Sequence, residues 1–115
     1  MARINYLELP VADAGVAKRF YGDAFGWTFS DFGPTYAATT SGDTDIGFQA
    51  DPAQRTAAAL PVIEVGDIDA AQRAVEGAGG TITMPVFAFP GGRRFHFVDP
   101  DGHELAVMQP GSCSP

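Results

Sequence analysis

Residues 11–26, VADAGVAKRFYGDAFG, are answered by residues 65–80, VGDIDAAQRAVEGAGG. Laid over one another, Val11 falls on Val65, Asp13 on Asp67, Ala17 on Ala71, Arg19 on Arg73, Ala24 on Ala78 and Gly26 on Gly80. Each copy opens with an Asp where a helix N-cap is wanted, since its carboxylate accepts from the first free backbone N–H groups. Apolar residues then recur at helical spacing, and glycine closes the segment. Val16, Ala17, Phe20, Tyr21 and Ala24 make the apolar stripe of the first predicted helix. Ile68, Ala71, Val75 and Ala78 make that of the second. The chain reads as one module written twice.

Working outward, residues 3–11 alternate as a strand. Ile4, Tyr6, Glu8 and Pro10 share one face, and Asn5, Leu7, Leu9 and Val11 the other. Residues 27–32, 35–40 and 45–49 read as three more strands, separated by turns at Gly33-Pro34 and Ser41-Gly42-Asp43. In the second copy the strands fall at 60–65, 81–88, 93–98 and 104–109. Pro85 marks the second of these as an edge or bulged strand. Phe89-Pro90-Gly91-Gly92 reads as a mobile loop, and Asp99-Pro100-Asp101-Gly102 as a turn. The order is β-α-β-β-β twice, an α+β chain. As a single domain over 1–115, it has module one at 1–50, a linker at 51–59, module two at 60–110 and a tail at 111–115. One such unit cannot cover both faces of its sheet. Two copies whose curved, mainly antiparallel sheets wrap a shared interior put the helices outside and leave a cleft between modules.

The chain has 115 residues and a formal net charge of -7, with a sequence pI near 4.4. That balance argues against nucleic acid or an anionic membrane as partner, because neither is attracted to an acidic surface. No apolar run approaches the ~18–20 residues that span a bilayer. The start of the chain carries no signal-peptide core, so the cytoplasm is the expected compartment. Cys113, in the tail, is the only cysteine, which leaves no intramolecular disulfide and no Cys-based zinc site.

The phrases Glu8-Leu9-Pro10-Val11-Ala12-Asp13, Phe20-Tyr21 and Phe25-Gly26-Trp27, followed by Gly79-Gly80 and Phe97-Val98-Asp99-Pro100-Asp101-Gly102-His103-Glu104, resemble the vicinal oxygen chelate superfamily. That superfamily includes glyoxalase I, bleomycin-resistance proteins, fosfomycin-resistance enzymes and extradiol dioxygenases. The resemblance implies a homodimer and a divalent metal held by four side chains, mostly His, Glu or Gln. These come from the first and last strand of each module. In this chain the positions fall on Tyr6, on Gly47 (Phe48 or Gln49 if the register slips), on Leu60 and on Ala106. Leu and Ala offer no lone pair, Gly has no side chain, and a lone tyrosine is a poor ligand for a labile divalent ion. No metal ligand and no cofactor are therefore expected; a divalent metal enters only if this register is misread.

The residues that remain describe a small-molecule site. Tyr6, Glu8, Gln49, Leu60, Arg94, His96, Ala106 and Met108 are the expected ligand-binding set, mostly apolar with a few convergent polar groups. His96 and Glu8 are the candidate catalytic pair, with Glu8 raising the basicity of the imidazole. The plainer reading makes His96 a sheet-surface residue. An inward Arg94 favours an anionic or carboxylate-bearing ligand. Trp27 and Phe20, Phe25, Phe29 and Phe32 read as core or inter-module packing. His103 and Glu104 read as turn and surface residues. The function expected by resemblance is metal-free binding of a small hydrophobic or aromatic ligand, as in the bleomycin-resistance members. The alternative is a metal-dependent or His-dependent lyase or isomerase of the glyoxalase I kind. A third reading is a vestigial cleft used for protein contact.

Overall fold

The computed structural model describes residues 2–111. The first module runs β1 (Arg3–Pro10), α1 (Ala14–Phe25), β2 (Ser30–Asp31), β3 (Tyr36–Ala38) and β4 (Asp45–Gln49). The second runs β5 (Leu60–Glu64), α2 (Ile68–Gly77), β6 (Thr81–Phe89), β7 (Gly92–Val98) and β8 (Glu104–Pro110). One compact unit spans Asn5–Leu60, and the other takes residues 61–111 together with the start of β1.

In the first module β1 pairs in parallel with β4, while β3 pairs antiparallel with both β4 and β2. In the second, β5 pairs in parallel with β8, while β7 pairs antiparallel with both β8 and β6. First strand beside last, then third, then second: the duplication seen in the sequence is repeated in the pairing. The parallel pair in each module follows from its helix, which carries the chain back across one sheet face.

The caps form as the sequence predicts. Asp13 accepts from the backbone N–H of Gly15 (2.8 Å) and Val16 (3.1 Å), and Asp67 from that of Ala70 (3.1 Å). Gly26 ends α1 in the left-handed region at φ 73°, where a Cβ would be strained, and its N–H returns to the Gly22 carbonyl at 2.8 Å. Helix α2 has a further tie, since the Gln109 Oε1 atom accepts from the Ile68 N–H at 2.9 Å. The last strand thereby fixes the start of the helix that packs on it.

The buried side of α1 differs from the predicted stripe. Ala14, Ala17 and Tyr21 meet Ala37, Phe48, Leu9, Phe29 and Ile46, whereas Val16 and Phe20 are exposed. Ala14, Ala17 and Tyr21 are spaced by three and four residues and so share one side, while Val16 and Phe20 lie about 100° off it. Among the predicted core aromatics only Phe29 reaches the core, 5.3 Å from the Phe48 ring. Phe20, Phe25, Trp27 and Phe32 stay exposed. Trp27 stacks on Tyr21 (5.8 Å, 8°) and on Phe25 (5.2 Å, 29°). With Trp27 stacked there and Phe29 turned to the core, the strand expected over 27–32 shrinks to Ser30–Asp31.

The second module's core is Ile68, Phe95 and Val107, with Ile63, Ala71, Val75 and Val86 packed around them. Ala78, expected on the buried stripe, is instead the exposed C-cap. Strand β6 is an edge in the strand order, and its register with β7 shifts on either side of Met84, in the segment that holds Pro85. The loop expected over 89–92 is tighter, because Phe89 pairs with Gly92 and only Pro90 and Gly91 turn. No helix among the described residues is long and apolar enough to cross a membrane. The tail cysteine, Cys113, lies outside the described residues.

Candidate functional site

Each module has one sheet face under its helix and one turned away from it. In the first module Leu9, Ile46 and Phe48 take the helix side. Strand alternation therefore sends Tyr6, Glu8, Gly47 and Gln49 to the other face. Register places Glu8 beside Gly47 and Tyr36 beside Gln49. The Tyr36 hydroxyl donates to Glu8 Oε1 at 3.1 Å, and the Tyr6 and Tyr36 hydroxyl oxygens are 2.5 Å apart. Since the single Tyr36 proton goes to Glu8, Tyr6 is the donor to Tyr36. Burial, reinforced by the neighbouring Tyr6 and Glu8, pushes the Tyr36 phenol far above its ordinary value. It stays protonated and serves only as a hydrogen-bonding group.

Gly47 makes this chain possible. A Cβ there would lie 1.9 Å from the Tyr6 hydroxyl and 2.3 Å from that of Tyr36. The two phenols thus fill the volume that a side chain at position 47 would occupy. Phe48, the neighbouring register, points into the core with no exposure. Gln49 is buried, and its Oε1 accepts from the Asp51 N–H at 3.0 Å, which ties it to the start of the linker.

In the second module Phe95, Phe97, Val107 and Ile63 face α2. Arg94, His96, Ala106, Met108 and Val62 lie on the opposite face by alternation, with Ala106 paired to both His96 and Val62. Leu60 follows Val62 in that alternation and is fully buried, as is Ala106. His96, 5% exposed, is therefore not a sheet-surface residue. Its Nδ1 lies 3.1 Å from Glu104 Oε2, and its Nε2 accepts from Arg94 Nη2 at 2.9 Å and Nε at 3.3 Å. The carboxylate that His96 engages is thus Glu104's, where the sequence suggests Glu8. Glu104, expected to be a surface residue, shares the His96 face because it lies two residues from Ala106 along β8. The Arg94 guanidinium sits over the rings of Phe87 (5.8 Å) and Phe89 (5.4 Å), and Phe87 lies 6.1 Å from the imidazole.

Of the expected set, Tyr6 and Glu8 come together in the first module, and Arg94, His96, Ala106 and Met108 in the second. Tyr36, Phe87, Phe89 and Glu104 are additions. Alternation alone would place Glu104 with Ala106. Tyr36 has no comparable signal, because its role depends on the lateral pairing of β3 with β4. Among the described residues no group of three or more His, Cys, Asp or Glu side chains is placed to hold a metal ion.

The family model described as Glyoxalase/Bleomycin resistance protein/Dioxygenase superfamily matches residues 3–107. The CFP32 protein of Mycobacterium bovis, named as a candidate glyoxylase, is 30% identical over 91% of the chain. The chain spans 44% of that relative's length. Methylmalonyl-CoA epimerase from Mycobacterium tuberculosis superposes with a TM-score of 0.73 at 16% identity, over 95% of this chain and 88% of that one. The Mn(II)-bound glyoxalase from Novosphingobium aromaticivorans superposes with a TM-score of 0.70 at 22% identity, over 97% of this chain and 41% of that one. Both solved structures share the fold.

Proposed function

The chain belongs to the glyoxalase/bleomycin resistance protein/dioxygenase superfamily, and from that premise we propose that it binds a small hydrophobic or aromatic ligand bearing an anionic group, without a metal ion. The single observation that carries this reading is Gly47. The position the family uses for a ligand at the end of module one has no side chain, and two hydrogen-bonded phenols fill the space. The other three positions, Tyr6, Leu60 and Ala106, supply a committed phenol and two hydrocarbons. This donor set does not fit a divalent ion.

The ligand class is supported by the helix-free face of the second module. The half-buried Met108, Phe87 and Phe89 give it apolar side chains, and Arg94, seated on the two rings, gives it a cation suited to a carboxylate. The lyase or isomerase alternative needs an imidazole nitrogen ready to take a proton. Both nitrogens of His96 already have partners, Glu104 and Arg94, which favours a binding role.

A thermal-shift screen with matched aryl carboxylates and aryl carboxamides tests this reading. At a hundred times its Kd a carboxylate should add about 2.7 kcal/mol of stability. The amide of the same shape should add clearly less, and Arg94→Ala should erase the difference. Equal shifts for acid and amide, or none across a broad set, would remove the reading.

A further inference from the structure

We propose that Glu104 is a positioning residue that acts through His96 to orient Arg94. The proposal rests on the ligand reading above for what Arg94 is held to meet, the anionic end of the ligand. It extends that reading to a residue that touches neither ligand nor cation.

Arginine has five N–H donors and no acceptor. Two of its nitrogens, Nη2 at 2.9 Å and Nε at 3.3 Å, approach His96 Nε2. That nitrogen must present its lone pair, so the neutral ring carries its proton on Nδ1. The Nδ1–H in turn needs an acceptor, and Glu104 Oε2 stands 3.1 Å away. The result is a directional chain in which Arg94 donates to His96 and His96 donates to Glu104. The tautomer of a histidine is set by the bond its other nitrogen makes. Without Glu104 nothing holds the proton on Nδ1. A proton on Nε2 would point at the guanidinium and remove an acceptor that helps to align it.

The sheet builds this chain. Register pairs Val98 with Glu104 and His96 with Ala106, so Glu104 is the diagonal neighbour of His96 on one face. Burial grades along it: the His96 side chain is 6% exposed and that of Glu104 is 37% exposed. The carboxylate stays partly hydrated, while the ring it orients is shielded from competing water. Phe87 and Phe89 under the guanidinium add to the seat, so ring contacts and the His96 acceptor both act on the cation.

The test is NMR on protein labelled with nitrogen-15 in His and Arg, with no ligand added. In the wild type the His96 proton should be on Nδ1, and the Arg94 Nε–H resonance should be protected from exchange. Glu104→Ala should move the His96 proton to Nε2 and broaden the Arg94 signal away. Glu104→Gln, whose amide oxygen still accepts, should restore both. A wild-type proton on Nε2, or a Glu104→Ala spectrum with both signals unchanged, would overturn the proposal. Should Glu104→Ala fail to fold, the wild-type tautomer and the Gln variant decide by the same criteria. Because no ligand is present, this outcome is independent of the thermal-shift result.

Discussion

Replacing Phe48 with alanine is expected to cost about 3–5 kcal/mol of folding free energy. Phe48 is fully buried in β4, and its ring stacks 5.3 Å from Tyr21 and lies tilted 5.3 Å from Phe29. It is thus the point where α1, the segment ahead of β2, and the sheet meet. Truncation removes the ring from this contact and leaves a cavity between Tyr21, Phe29 and Ala37 that a helix capped at both ends closes only in part. A small domain has about 5–15 kcal/mol in all, so the loss is a large fraction of the total. Urea unfolding of wild type and Phe48→Ala measures the difference. A loss below about 1 kcal/mol would mean that this ring is not the anchor of module one.

Gly47→Ala is the second large effect, and it bears on function. The new methyl would have to displace both tyrosine hydroxyls, and the ring carbon that carries the Tyr6 hydroxyl would lie 2.8 Å from it. Overpacking of this kind costs about 1–3 kcal/mol. The cost should be smaller in a background where Tyr6 and Tyr36 are both phenylalanine, because the two oxygens nearest the methyl are then gone. A double-mutant cycle by urea unfolding reads the coupling, expected at about 1 kcal/mol or more. Additive effects would mean that Gly47 is glycine for another reason.

These two neighbours also show what is legible in the sequence. The duplication, the Asp caps and the Asp99-Pro100-Asp101-Gly102 turn are local signals, and the fold follows from them. Strand alternation correctly puts Tyr6 with Glu8 and Arg94 with His96. Three things escape a linear reading. The first is the angle at which α1 meets its sheet, which decides that Ala14, Ala17 and Tyr21 are buried and Phe20 is not. The second is lateral pairing, which brings Tyr36 across β4 to Glu8. The third is the choice of partner for His96, which depends on the register of β7 against β8. Glu104 could be assigned to the Ala106 face by counting, but its link to His96 needs the cross-strand distance. Gly47 itself reads as a missing ligand in the sequence. In the structure it is the space two phenols require.

On the proposed reading, Tyr6, Gly47, Leu60 and Ala106 hold no divalent ion. Elemental analysis tests it most directly, on protein purified without a histidine tag, dialysed against manganese, zinc, nickel or ferrous iron and then freed of loose ion. The expected result is far less than one ion per chain for each metal, with the same thermal midpoint in the presence and absence of a chelator. A stoichiometric, tightly held ion whose removal lowers that midpoint would contradict it.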